Sequence, residues 1–270
     1  MRRFLIIGWV AGSLVFAALV SFLVDLAGRA PAPPPQAATR PAGTAPAQAQ
    51  QSEIPTQAAL PQWVGSLQNA DPAAGEKIAT GGIKTIPACS SCHGQNGEPL
   101  DGNRTPRLAG LSPFYIAKQL HDFADGSRVN QMMSGYAALL NEQQIADVAA
   151  YYASRITPFT PPGGTKQPAV LERGEQLVTI GDDALMVQSC TSCHGPRAQG
   201  GDPIVPYIAG QSSQYISAAF EDWLSGRRKN DADGVMAAIL GKLQPRDRIA
   251  VAEFLETIPP PGVVQGENHQ

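Results

Sequence analysis

The 270-residue chain reads as all-α, with two tandem helical domains behind an N-terminal transmembrane helix. Three observations predict this class. The chain repeats itself: Pro106-Arg107-Leu108-Ala109-Gly110 answers Pro206-Tyr207-Ile208-Ala209-Gly210, and Tyr115-Ile116, Asp122, Gly126, Arg128 and Asn130 return 100 positions later as Tyr215-Ile216, Asp222, Gly226, Arg228 and Asn230. Gly75 to Ile78 answers Gly174 to Leu177 upstream, while Leu140, Val148, Ala149 and Tyr151 answer Leu243, Val251, Ala252 and Phe254 downstream. Apolar residues recur at helical spacing, as Ile145, Val148, Ala149 and Tyr152 do, and no alternating strand pattern of useful length occurs. Finally, Pro-rich breaks fall between the copies and after the second, where a helix cannot continue.

The elements follow in order. Arg2 and Arg3 precede an uncharged apolar run from Phe4 to Val24, which at about 1.5 Å per residue spans roughly 30 Å, a bilayer's hydrocarbon thickness. Residues 1–26 therefore read as a membrane anchor. A cleaved signal peptide is the alternative, although its apolar region is usually about 7 to 15 residues and the best cleavage site, Gly28-Arg29-Ala30, is followed by Pro31. The arginines stay cytoplasmic by the positive-inside rule. That makes the chain a single-pass protein of a bacterial cytoplasmic membrane, with its domains on the periplasmic side. Residues 27–70, rich in Pro, Ala and Gln, read as a linker.

The first domain, 71–156, carries helices over Asp71–Thr80, Ser112–Asp125 and Asn141–Ser154. The second, 170–258, carries them over Val170–Thr179, Ser212–Ser225 and Gln244–Thr257. Ser112-Pro113 reads as an N-cap with Pro in the first turn, and Gly126 and Gly226 as stops. Residues 157–169 join the domains, and 259–270 form a tail. The second copy is three residues longer between Asn230 and Met236.

All four cysteines fall in two strings: Cys89-Ser90-Ser91-Cys92-His93, and 101 residues later Cys190-Thr191-Ser192-Cys193-His194. Each is the attachment string of a c-type haem. Two thiols at this spacing reach the vinyl groups on one porphyrin edge, and the adjoining imidazole reaches the iron. Paired zinc knuckles usually stand about 15 to 20 residues apart and need no His after each pair. A thioredoxin-like redox pair would need a βαβ setting. Two covalent haem c groups are therefore expected, one per domain, each supplying part of a small core. With a net charge of -3 and no basic run beyond Arg227-Arg228-Lys229, nucleic acid is excluded as a partner.

These strings, each followed by Gly, together with the Pro-x-x-Ala-Gly segments before Tyr-Ile, the Gly-x-Arg-x-Asn turns and a Met ahead of each last helix, resemble two tandem class I cytochrome c domains. The chain is most similar to the dihaem cytochrome c4 family, over about 71–258. The anchor and long linker depart from the family's pattern. A thioether favours reduced iron and marks electron transfer. The candidates are Met133, 40 residues after His93, and Met236, 42 after His194, each eight residues before the last helix; Met132 is the rival to Met133. The resemblance implies that His93, Met133, His194 and Met236 ligate iron, and that the carbonyls of Pro106 and Pro206 orient the histidines, for which plain turn prolines are the alternative. Arg107, Arg128 and Arg228 are candidates for balancing haem propionates, with exposed arginine as the alternative. Gly75 and Gly174 are expected to let the first helix of each domain cross closely over Tyr151 and Phe254. Met186 reads as a packing residue, and His121 and His269 as solvent-facing.

With no spare Cys and no spare His in register, the chain reads as an electron carrier rather than an enzyme, without a small-molecule substrate. A dihaem peroxidase or thiosulfate dehydrogenase would need an open or differently ligated iron. The resemblance implies electrons taken from a quinol:cytochrome c oxidoreductase or a dehydrogenase of the respiratory chain and passed to a terminal oxidase. A permanent cytochrome c subunit of a membrane dehydrogenase or oxidase complex is the alternative.

Overall fold

A computed structural model of the chain describes residues 61–100, 104–161, 166–201 and 204–261. The anchor expected over 1–26, most of the 27–70 linker and the end of the tail lie outside these residues. Among the described residues no helix is long and apolar enough to cross a membrane. In chain order the helices are α1 (Val64–Leu67), α2 (Pro72–Gly81), α3 (Ser90–His93), α4 (Pro113–Asp125), α5 (Met133–Ala137), α6 (Glu142–Ala153), α7 (Pro168–Thr179), α8 (Thr191–His194), α9 (Ser213–Leu224), α10 (Val235–Lys242) and α11 (Pro245–Leu255). Strands β1 (Gly181–Asp182) and β2 (Val187–Gln188) form a small antiparallel hairpin between α7 and α8.

Local chemistry sets the helix ends. Asp71 caps α2, its carboxylate accepting the Ala73 N–H at 2.8 Å with Pro72 at the first turn. Asn141 and Gln144 close a capping box on α6, at 2.9 and 3.0 Å. Ser212 Oγ accepts the Tyr215 N–H at 3.1 Å to cap α9, whereas Ser112 at the start of α4 makes no such bond and leaves the job to Pro113.

Each repeat buries its own core. In the first, Ile116, Leu120 and Phe123 of α4 meet Ile145, Val148, Ala149, Tyr151 and Tyr152 of α6. In the second, Ile216, Phe220 and Trp223 of α9 meet Val251, Ala252 and Leu255 of α11, with Leu177 and Val178 of α7. Helices α2 and α6 cross so closely at Gly75 that a Cβ there would run into the Asp147 carbonyl and stand 3.0 Å from the Tyr151 Cβ. Gly174 meets the Ala250 carbonyl and the Phe254 Cβ, at 2.7 Å for the latter, where α7 crosses α11. Only glycine fits at either crossing.

Several features differ from the sequence expectation. One-turn helices form at α1, α3, α5 and α8, because four or five residues are too few to show a period. Residues 61–67, composed like a linker, instead place Trp63 and Leu67 against the first core. His121 is not solvent-facing: it is half-buried, with its ring stacked on Trp63 at 4.8 Å between centroids. Met186 does not pack either, being 77% exposed at the hairpin tip, where its carbonyl accepts from Lys242 Nζ at 2.8 Å.

Candidate haem centres

A single helical turn presents each attachment string. Cys89 and Cys190 sit at the N-caps of α3 and α8, so each Cys-x-x-Cys-His places its functional groups at i, i+3 and i+4, on one helix face. Gly94 ends α3 with φ 75°, and a side chain there would strike the Glu98 carbonyl. All four thiols are free. Burial pushes the Cys89 thiol up and that of Cys190 to about 11, so both are protonated at neutral pH. The two strings are not brought together into a cluster: among the described residues no group of three or more His, Cys, Asp or Glu could hold a bare metal ion.

The histidines are held by backbone. His93 is 7% exposed with Nδ1 3.2 Å from the Pro106 carbonyl oxygen, and His194 Nδ1 lies 2.8 Å from that of Pro206. Donation from Nδ1–H to these carbonyls leaves Nε2 as the lone-pair nitrogen, the form that ligates a metal. Burial also holds His194 below the ordinary imidazole range, which keeps it neutral. Cys89 and Met133 pack against the same core, and Cys190 and Met236 against the other. The Asn130 carboxamide accepts the Met132 and Met133 N–H groups, both at 3.1 Å, and Asp231 accepts that of Met236 at 2.7 Å. Of the adjacent methionines, Met133 is packed inward while Met132 is 56% exposed.

The arginines lie where the repeats meet. Arg128 and Arg228 pair as an antiparallel bridge, reinforced by Val129 N–H to the Arg227 carbonyl at 2.7 Å and Lys229 N–H to that of Ser127 at 2.8 Å. Their guanidiniums cross over: Arg128 donates to the Tyr215 hydroxyl at 3.0 Å, and Arg228 to that of Tyr115 at 2.9 Å. Burial pushes the Tyr215 phenol up, but the two guanidiniums outweigh it and hold the group below its ordinary value. Arg107 donates to the carbonyl and hydroxyl of Thr157. The Nε atoms of Arg107 and Arg128 are buried with no hydrogen-bond partner among the described residues. Unpaired buried cationic donors are costly, and an anionic group such as a haem propionate would satisfy them. The paired thiols, carbonyl-held imidazoles, inward methionines and orphaned guanidinium nitrogens thus fit haem c.

Comparison with known proteins decides the family. The cytochrome c family profile matches residues 72–155. The chain is 36% identical over 202 residues to cytochrome c4 of Thiocapsa roseopersicina, covering 74% of this chain and 96% of that one. The chain belongs to the cytochrome c4 family. Membership makes it an electron carrier rather than an enzyme, with two covalently bound haem c groups. It is also 37% identical over 172 residues to a thiosulfate dehydrogenase electron acceptor of Thiomonas intermedia, across 64% of this chain and 79% of that one. Among solved structures, reduced recombinant cytochrome c4 from Pseudomonas stutzeri matches with a TM-score of 0.60 at 30% identity, over 70% of this chain and all (100%) of that one. A thiosulfate dehydrogenase from Marichromatium purpuratum matches at 0.64 and 31%, over 70% of this chain and 40% of the other.

Gln119, Gln211 and Thr157 complete the interface between the repeats, and sequence comparison within the chain does not single them out. Gln119 Oε1 accepts from Arg128, Arg228 and Asn230, at 2.8, 3.2 and 2.9 Å. Gln211 exchanges two bonds with the Arg107 backbone, at 2.9 and 2.7 Å. Their counterparts in the repeat are Ala219 and Leu111. Tyr115 and Tyr215, like Arg128 and Arg228, repeat in register and so carried a usable signal.

Proposed function

We propose that the chain is a membrane-tethered dihaem carrier. In this reading Cys89, Cys92, Cys190 and Cys193 attach the haems, His93 and Met133 ligate one iron, and His194 and Met236 ligate the other. Electrons enter from a dehydrogenase or a quinol:cytochrome c oxidoreductase and leave to a terminal oxidase. Held by His93 and Met133, or by His194 and Met236, a haem iron would supply one-electron exchange. The protein's part is to fix those ligands. Proline carbonyls set the imidazole tautomer, and Asn130 and Asp231 fix the backbone from which each methionine projects. The observation that supports the reading is that each repeat packs its first cysteine and its methionine against its own core and holds its histidine on a proline carbonyl.

A thiosulfate dehydrogenase is the donor best supported, because two relatives are named as its electron acceptors. The solved thiosulfate dehydrogenase, of which this chain spans 40%, also favours a second reading as a fixed redox unit of such an enzyme. Mixing the purified, oxidised protein with a thiosulfate dehydrogenase and thiosulfate tests both. Reduction of both haems at catalytic enzyme concentration supports the shuttle; reduction only at one-to-one stoichiometry supports the fixed unit, and none removes this donor. The tether rests on the apolar run from Phe4 to Val24. Detergent-dependent release from membranes, with an intact N-terminus by sequencing, is the expected outcome; a mature chain beginning beyond Ala30 would remove it.

A further inference from the structure

The cleft between α4 and α6 of the first repeat is covered by α1, whose Trp63 ring stacks on His121 at 19° and meets Phe114 at 5.0 Å. The corresponding cleft of the second repeat, lined by Ala218, Phe220, Glu221, Pro245, Arg248 and Ile249, stands open with a volume of about 270 Å³. The second repeat builds its core without such a cover, so α1 is an addition to the repeat rather than part of its fold. The addition is weakly held by itself. Four residues of helix are unstable alone; beyond the stack, Leu67 packs on the first core, and Gln143 Nε2 to the Asn69 carbonyl at 3.1 Å and Asp71 N–H to Asp147 at 2.8 Å secure the segment's end.

We propose that residues 61–67 are an acid-released clasp, fastening the chain that leads into the first haem domain onto the α4–α6 cleft through Trp63 stacked on neutral His121.

The His121 ring explains the acid release. Its Nε2 is buried and has no hydrogen-bond partner among the described residues, so a second ring proton would be charged and unsatisfied. Burial lowers the imidazole's proton affinity. Glu142 at the start of α6, and Asp122 and Asp125 on α4 itself, push the other way and are outweighed. Helix α1 faces the ring with no charge, and Lys118 is turned away to Asp122 and the Asn230 carbonyl. The docked value lies below the undocked one, so docking is at full strength above the free imidazole value of about 6.5 and weakens as pH falls beneath it. Release frees residues 61–70, up to about 30 Å of contour.

Hydrogen exchange of the haem-loaded full chain, followed in peptides covering 61–70 at pH 7.5 and 5 and corrected for intrinsic rates, tests this. The parent is expected to protect these amides at neutral pH and lose the protection in acid. Trp63→Ala should lack it at both pH values with α6 unaffected, and His121→Phe should keep it at both. If His121→Phe does not take up haem, His121→Gln serves the same purpose. Acid-insensitive protection in the parent, acid loss persisting in the His121 variant, or a Trp63→Ala loss that spreads into α6 would each overturn the clasp.

Discussion

At the scale of single residues, the methionines and Glu256 give the sharpest expectations. Met133→Ala should abolish the sulfur-to-iron band of one haem and lower its potential, leaving the other haem unchanged, as a redox titration followed in the far red would show; Met236→Ala should do the converse. Met132→Ala should leave both intact, because that side chain points to solvent. Glu256 accepts from Lys166 at 2.6 Å and from the Ser213 N–H at 3.0 Å. Burial pushes its carboxyl up, but these two donors outweigh it and hold the group below the ordinary range. A depressed folded value means the contribution is complete above the unfolded value of about 4.3 and is lost as pH falls through the lower folded one. Glu256→Gln should therefore cost about 2 kcal/mol at pH 7 and flatten the acid limb of a denaturation series; an unchanged limb would remove this pair from the acid response.

At the scale of elements, the helix crossings matter most. Gly75→Ala drives a methyl into the Asp147 carbonyl, which is backbone and cannot rotate away, so α2 must lift from α6. A loss of about 2 to 3 kcal/mol is expected from such overpacking, measured by chemical denaturation of the haem-loaded protein. Gly174→Ala should cost a similar amount, with the Phe254 Cβ as a second obstacle. The six longer helices α2, α4, α6, α7, α9 and α11 were legible within a residue or two because caps, Pro at first turns and apolar spacing mark them. The one-turn helices α3, α5 and α8, which carry the haem-binding strings and Met133, were not, since their geometry is set by turns and by the residues around them.

At the scale of the whole molecule, the two repeats are joined through buried polar groups. Gln119 Oε1 takes three donors at once, two of them guanidiniums. Gln119→Leu would strand those donors in a buried interface, at about 1 to 3 kcal/mol for an unsatisfied buried group. Calorimetry of the parent is expected to show one cooperative transition, and of Gln119→Leu a split or broadened one; coincident sharp transitions would show that the network does not couple the repeats.

The sequence by itself determined the cofactor, the repeat, the order of the long helices and the candidate iron ligands, because thioether attachment and helical packing impose fixed local spacings. Tertiary structure alone decided the rest. It turned Met133 inward and Met132 outward, set Arg128 and Arg228 against the opposite repeat's tyrosines, recruited Gln119 and Gln211 from positions with no counterpart, and drew Trp63 out of a linker-like stretch onto His121. Each of these joins residues that are neighbours in space but distant or unrepeated in sequence, where burial and the need to satisfy buried donors choose the partner and no local pattern records it.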